Sequence, residues 1–544
     1  MRPVSAHRKS AAALRASLAA ILAVVLLAGC ATAPPGADYP KTFSTAFATP
    51  EATQLGRQIA IQANAHPDLS GFQVLPRGVD GLLLRTQLIR AAERSVDIQY
   101  FIFVEDYTGK LLLESVLRAA DRGVKVRLLI DDWNSFGQPE MRATLAALDK
   151  NKNIAVRLFN PFVYRGDIGL FRKIEFAMTA PRVNHRMHNK LMLVDGAVAV
   201  IGGRNVADAY FETGDTAIRF GDFDVAAVGP VVPKLADSFD EYWNSSLAIP
   251  QKAIAPVIGK ISESEARATL GENRDRADQD EILRRVDGGD PLAGLLQGRT
   301  SVSWAKAVVV ADPPEKAMPA NNAAAPSPTA RVLSQHMNEV NRELVIISPY
   351  FVPGSAGLAT LEALRKRGAR VRILTNSLAS TDVPVVHSAY QRYRGPLLDA
   401  GVEIFEIRPV PGQLKSEHES AGSDLGASAA PFALHAKAYV FDRQLVFLGS
   451  ANLDPRSLEL NTEVGLLIES PDLARQIIAR FDEFSASSNS YRVTRSNDTA
   501  TGAALTWHTS VDGRTIEWHY EPDTTAWQRL QMDFLSFLPI EDQL

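Results

Sequence analysis

Between residues 82 and 130 the apolar positions change period three times. Leu82 to Glu93 repeats at helical spacing, Val96 to Phe103 reads as a strand, Gly109 to Asp121 returns to helical spacing, and Val124 to Ile130 reads as a buried strand. This alternation of strand and helix predicts an α/β sandwich. The same succession returns later in the chain. Arg331 to Arg342 has helical spacing, Ile346 to Val352 reads as a strand, and Gly368-Ala369-Arg370-Val371-Arg372-Ile373-Leu374 echoes Gly123-Val124-Lys125-Val126-Arg127-Leu128-Leu129. Two halves of one α/β design are expected.

Each half also carries a predicted hairpin. Leu191 to Val194 and Val198 to Ile201 flank Asp195-Gly196, a strong turn signal, while Ala438 to Phe441 and Leu445 to Leu448 flank Asp442-Arg443. His188-Asn189-Lys190 precedes the first hairpin and Gly202-Gly203-Arg204-Asn205 follows it. Around the second stand His435-Ala436-Lys437 and Gly449-Ser450-Ala451-Asn452. A single offset of 247 residues relates them, from 188 to 435 and from 205 to 452. In extended backbone, residues i and i+2 share a face, so each histidine stands beside a lysine. The small pairs let backbone approach that face, and Asn205 and Asn452 supply neutral donors. An anionic oxygen suits such a site. A metal does not, because an ammonium beside the imidazole repels a cation and no further ligand spacing accompanies it.

At 544 residues, with 46% hydrophobic and 22% charged residues, the chain can bury a large core and is expected to hold more than one domain. Its net charge of −4 gives no electrostatic footprint for nucleic acid. Arg2, Arg8, Lys9 and Arg15 precede an apolar run from Leu18 to Leu27, which ends in Leu27-Ala28-Gly29-Cys30. This is a targeting segment whose run is short for a membrane span. Cys30 is the only cysteine, so no disulfide forms within the chain. Residues 31 to about 65, rich in Pro, Thr and Ala, read as a spacer. Ser262 to Arg285 is charged and expected to be helical, Val302 to Val310 a strand, and Ala317 to Ala330 a loop. Trp527, Leu530, Phe534, Leu535 and Leu538 form an apolar face expected to join the core.

The twin H-x-K-x4-D-x6-G-G/S-x-N pattern resembles the signature of the phospholipase D superfamily. That resemblance implies two α-β-α sandwich halves, related by a pseudo-twofold axis, with the active site at their interface. It implies His188 as the nucleophile and His435 as general acid and base, with Lys190, Lys437, Asn205 and Asn452 on the phosphate oxygens. It also implies an acidic residue behind each imidazole: Asp224 for His188, with Asp222 as a rival, and Glu463 for His435. Asp195 and Asp442 complete the catalytic signature, and their turn positions suit a structural part in it. Asn376 to His387, with Tyr390, Tyr393 and Arg394, resembles the cardiolipin synthase branch, and the tail resembles its C type.

The resemblance implies transfer of a phosphatidyl group without cofactor or metal, on phosphatidylglycerol, with phosphatidylethanolamine as a second candidate donor. Hydrolysis of phospholipid is the competing reading, followed by nucleic acid hydrolysis and by a non-catalytic lipid-binding lipoprotein. His387, Tyr390 and Arg394 either line a head-group site or pack a helix. His185 and Arg186 are either surface residues or substrate contacts. Leu27 to Cys30 resembles a lipobox, which implies a lipidated Cys30; an uncleaved anchor is the alternative, and Ala31 favours the outer membrane of a bacterial envelope. The expected division is a signal over 1–29, a tether over 30–70, halves over 71–251 and 331–490 joined by 252–330, and an extension over 491–544.

Overall fold

The computed structural model describes residues 33–135, 138–166, 168–214, 216–254, 261–272, 290–297, 302–318, 325–410, 430–496, 504–511, 513–538 and 541–543. The expected leader and Cys30 lie outside these residues, as does most of the segment expected to be helical beyond Glu272. In the first half the strands are β1 (Ser70–Leu75), β2 (Ser95–Tyr100), β3 (Lys125–Asp131), β4 (Ile154–Phe159), β5 (Leu191–Val194), β6 (Val198–Gly202), β7 (Arg219–Gly221), β8 (Asp224–Val228) and β9 (Ala248–Pro250). In the second they are β10 (Ser303–Ala311), β11 (Glu343–Ile347), β12 (Arg370–Asn376), β13 (Glu403–Ile407), β14 (Phe432–Leu434), β15 (Ala438–Phe441), β16 (Leu445–Gly449), β17 (Val464–Glu469), β18 (Ser490–Arg495), β19 (Leu505–Val511) and β20 (Arg514–Trp518).

The two sheets repeat one pattern. β9-β4-β3-β2-β5-β6-β8-β1 in the first half matches β18-β13-β12-β11-β15-β16-β17-β10 in the second. In each, three strands run parallel (β2, β3, β4 and β11, β12, β13) and the hairpin joins them antiparallel. The sheets meet where β1 pairs antiparallel with β10, Gly71 opposite Trp304. Residues 303–311 are thus part of the second sheet, and β19 and β20 extend it beyond residue 490.

Both hairpin turns fold as their sequences predict. Asp195 and Gly196 (φ 52° and 60°), like Asp442 and Arg443 (φ 51° and 62°), adopt the paired left-handed geometry that matches strand twist. Strands buried on both faces need cover on both faces. Outer helices such as Gly78–Ala91 and Tyr107–Asp121 cover one side of the first sheet. Between the sheets lie the amphipathic helices Val231–Asn244 and Pro471–Phe484. Leu235, Phe239 and Trp243 from one, and Leu473, Ile477 and Phe481 from the other, join Leu191, Ile201, Ala438 and Leu448 in a core shared by both halves. That shared core fixes the two motifs relative to each other.

One expectation about packing fails. The helix Ala526–Ser536 buries Met532 and packs on the helix Pro384–Asp399, so its other stripe faces solvent: Trp527 is 65% exposed, Leu530 58% and Phe534 67%. Spacing 527, 530, 534 marks one helical face, but which face meets the body depends on the partner helix. Among the described residues no helix is long and apolar enough to cross a membrane.

Candidate active site

The motif histidines are held by backbone before any side chain acts. The His188 N–H donates to the Thr462 carbonyl (2.9 Å), and the His435 N–H to the Gly221 carbonyl (2.8 Å). Each motif is therefore clamped to the opposite half at the residue just before an acid, Glu463 or Asp222. The preceding residues are clamped too. Asp131 accepts the Met187 N–H (2.9 Å) and Asn376 accepts the Leu434 N–H (2.8 Å), each from the end of a parallel strand.

The acids then meet the imidazoles crosswise. His188 Nδ1 lies 3.0 and 2.9 Å from the two oxygens of Glu463, and His435 Nδ1 lies 2.7 Å from Asp222 Oδ2. This corrects the expected pairing in both members. Glu463 serves His188, not His435, and Asp222, not Asp224, serves His435. Strand register gives the reason: Gly202 pairs with Asp224 while its counterpart Gly449 pairs with Gly465, so the residue matching Glu463 is two before Asp224. Asp224 points instead into the first half's own core, between Arg85 (2.9 Å) and Arg204 (3.3 Å). The crossing requires space at Gly203, where a Cβ would stand 2.4 Å from Asp222 Oδ1. The matching Ser450 uses its hydroxyl to donate to Glu463.

A carboxylate only accepts, so each acid assigns the hydrogen to Nδ1 and leaves Nε2 with its lone pair. The buried ammonium of Lys190 donates to the His188 carbonyl (2.7 Å); that of Lys437 donates to the His435 carbonyl and stands 2.9 Å from His435 Nδ1. Burial takes Lys190 down to about 7 and Lys437 down to about 8. Burial also lowers His188 to about 4, and it lowers His435, where Lys437 and Lys190 add repulsion. Burial alone would raise the Glu463 carboxyl, but His188, Lys190 and Ser450 bring it down to about 2; Asp222 is raised, burial outweighing Lys437 and Arg204. The site thus holds neutral imidazoles, an ionised Glu463 and two ammonium groups weakened by burial. An anion bound between the lysines would favour their charged forms.

The remaining predicted residues divide. Asn205 Nδ2 donates to the Tyr210 hydroxyl (3.0 Å) and its Oδ1 accepts from Ile102 N–H; Asn452 leans on Ser457, with its buried Oδ1 unpartnered. Asp195 and Asp442 sit at the hairpin tips, away from the imidazoles. Asp195 accepts the N–H groups of Glu93, Arg94 and Ser95, and Asp442 those of Asn341, Arg342 and Glu343. Arg186 is buried on Asp131 (2.6 Å), and His185 Nδ1 meets the Leu460 carbonyl (3.1 Å), so neither is a surface residue. His387, Tyr390 and Arg394 form a buried cluster with Glu406 and Glu521, which ties the extension to the second half. Sequence reasoning missed Asp131, the anchoring part of Asn376 and the aromatic walls: Phe101 stands edge-on to His188 (5.0 Å), and Tyr210 edge-on to His435 (4.9 Å).

The duplicated fold has known relatives. The family described as cardiolipin synthase, PLD-like domain, matches residues 86–243 and 333–485, one match per half. Cardiolipin synthase C of Escherichia coli (strain K12) is 37% identical over 477 residues, spanning 88% of this chain and 96% of that protein. Cardiolipin synthase A of Pseudomonas syringae pv. syringae (strain B728a) is 26% identical over 392 residues, 72% of this chain and 63% of that protein. Among solved structures, the phosphatidylserine synthase of Haemophilus influenzae Rd KW20 superposes with a TM-score of 0.52 at 14% identity, covering 90% of this chain and 100% of that one, a likeness of fold. Matched in both halves and aligned with a relative over nearly its whole length, the chain belongs to the phospholipase D-like, cardiolipin synthase family of enzymes.

Proposed function

We propose that the protein is a cardiolipin synthase that works through a phosphohistidine. Neutral His188 attacks the phosphorus of a phospholipid through Nε2, while the opposite His435, protonated once the anion is bound, gives its proton to the departing head-group alcohol. His435 then takes a proton from the incoming alcohol, phosphatidylglycerol, whose oxygen displaces His188 to release cardiolipin. Lys190, Lys437 and the free amide hydrogens of Asn205 and Asn452 hold the non-bridging oxygens, a role in which loss of one donor costs about 2.7 to 4 kcal/mol of barrier. The observation that carries the reading is the pair of imidazoles in one site, each with Nδ1 fixed by a carboxylate and Nε2 left for chemistry. We place the enzyme on the periplasmic side of a bacterial envelope, tethered through a lipidated Cys30, with the outer membrane as the expected site.

Product analysis tests the chemistry. The protein is given phosphatidylglycerol and phosphatidylethanolamine in mixed micelles, beside His188→Ala and His435→Ala. Cardiolipin from the wild type and from neither variant is expected. Phosphatidic acid alone would make water the acceptor and the enzyme a hydrolase.

A further inference from the structure

Asp312 follows β10 in the segment that joins the halves, and it is buried. It meets Glu463 twice: its N–H donates to the Glu463 carbonyl (2.9 Å), and its Oδ2 accepts the Glu463 N–H (3.2 Å). One residue therefore holds both backbone groups of the acid behind His188. Asp312 is itself fixed from other elements. Its Oδ1 accepts the Thr329 N–H (2.9 Å), its carbonyl accepts the Tyr242 hydroxyl (2.6 Å), and the Lys316 ammonium donates to Oδ2 (2.7 Å). Lys316 stands on the turn Pro314–Ala317 and also donates to the Ser457 carbonyl (2.8 Å), which tethers the cation from a second side.

The other acid is held differently. Leu75 pairs with Asp224 as Val310 pairs with Gly465, so the residue matching Asp312 is Arg77. Arg77 is exposed and pairs with Asp80 (2.6 Å). The Asp222 carbonyl is held instead by Arg204 of its own motif. The 247-residue offset puts Ala451 where Arg204 stands in the first half, and a methyl group reaches nothing comparable. The joining segment thus supplies to Glu463 a hold that the motif itself supplies to Asp222. The contact between an acid and an imidazole depends on the acid's backbone as well as its side chain: if the Glu463 Cα shifts, both oxygens leave Nδ1. We propose that Asp312 is a positioning residue that fixes Glu463 against His188 for the first chemical step. Its part in that step rests on the reading that His188 is the nucleophile.

The test follows the imidazole and the chemistry separately. Full-length protein carrying ring-15N histidine is observed by NMR, the two Nδ1–H signals being assigned through His188→Gln and His435→Gln. Asp312→Ala is combined with Lys316→Met, so that no ammonium is left buried without its anion. The His188 Nδ1–H signal is expected to move upfield as its contact with Glu463 lengthens, while that of His435 stays. First turnover of bis-p-nitrophenyl phosphate falls by about 10- to 100-fold, the scale of a small misplacement. Lys316→Met alone, which keeps the carboxylate on the Glu463 N–H, and Arg77→Ala both leave the His188 signal in place. Asp312→Asn, whose single oxygen cannot serve Glu463, Thr329 and Lys316 together, is the milder variant should the double one not fold, and it shifts the signal the same way. An unmoved His188 signal would overturn the proposal. So would equal movement at both histidines, which marks a general loosening, or a moved signal with first turnover unchanged. A moved signal in a protein whose wild type shows no first-turnover burst would leave Asp312 in its place behind Glu463 and remove His188 as the nucleophile.

Discussion

Replacing Glu463 by Gln keeps the side chain's size and removes the charge that sets the His188 tautomer. In the native site both oxygens of Glu463 lie within 3.0 Å of Nδ1 and the Ser450 hydroxyl donates to the same carboxylate. In the variant, Ser450 goes on donating to the single amide oxygen, which leaves the NH2 group against Nδ1. Nδ1 must then accept, the hydrogen moves to Nε2, and the lone pair that the proposed attack needs is gone. The wrong tautomer behind a buried acid costs on the order of 10^4 in kcat, which is about 5.5 kcal/mol of barrier. Asp222→Asn strikes the other imidazole, whose proton in the proposed mechanism matters only when the leaving oxygen needs one. With bis-p-nitrophenyl phosphate the nitrophenolate leaves unaided. Rapid mixing is therefore expected to show a first-turnover burst in Asp222→Asn, with slow turnover afterwards, and no burst in Glu463→Gln. A burst in Glu463→Gln within tenfold of the wild type, or a larger loss in Asp222→Asn, would refute the crosswise assignment.

Three further outcomes follow from named contacts. Asp224→Asn leaves Arg85 and Arg204 buried without their anion, a loss of roughly 3 to 5 kcal/mol; a clear fall in Tm by circular dichroism is expected, and an unchanged Tm would contradict the pairing. Asp195→Ala removes a fully buried carboxylate that holds three backbone N–H groups at 2.8 to 2.9 Å, of which the buried Ser95 N–H is worth about 1 to 3 kcal/mol when left unpaired, whereas the half-buried Asp442 site admits water more readily. Urea titration is expected to show the larger loss at Asp195, with equal losses counting against a structural role set by burial. Because burial holds Lys190 near 7 and Lys437 near 8, a bound phosphodiester anion draws both upward, and groups neutral in the free enzyme become charged in the complex. Binding between pH 7 and 8 must then take up protons. Calorimetry in two buffers of different ionisation enthalpy reads the uptake directly, and release of protons would be the wrong sign.

The hairpins, the parallel strands and both His-Lys pairs were legible in the sequence because they depend on local rules. Asp195-Gly196 is a turn for reasons contained in two residues, and Leu191 to Val194 matched its strand to the residue. The acid behind His435 was not legible. Asp222 and Asp224 stand two apart in extended chain, so both satisfy the same alternation, and a slip of two residues keeps every side chain on its face. Only the pairing of Gly202 with Asp224, against Gly449 with Gly465, separates them. Crosswise pairing was hidden for another reason: it joins residues 275 and 213 positions apart, and no periodicity reports such a contact. The exposed stripe of Trp527, Leu530 and Phe534 was misjudged because helical spacing identifies a face without saying what it meets.

The crossing makes the two halves interdependent in chemistry as well as in packing. His188 takes its orientation from Glu463 and its backbone anchor from Thr462; His435 takes both from Asp222 and Gly221. Neither half contains a complete imidazole and acid pair, so duplication alone yields two incomplete sites and apposition yields one working site. The apposed sites are not equivalent. Glu463 is held ionised near 2 with a serine hydroxyl donating to it, while Asp222 is raised by burial, faces a glycine where the serine would be, and has the Lys437 ammonium nearby, 2.9 Å from the same Nδ1 of His435. A firmly ionised acid keeps one tautomer throughout, which suits an imidazole that must present a lone pair. A less firmly ionised acid beside a lysine leaves the protonation of His435 responsive to the charge of the bound phosphate, which suits a group that must give up a proton and later recover one. The proposed division of labour between His188 and His435 therefore has a physical basis in Ser450, Gly203 and Lys437, and exchanging the small residues at 203 and 450 is where that basis is open to attack.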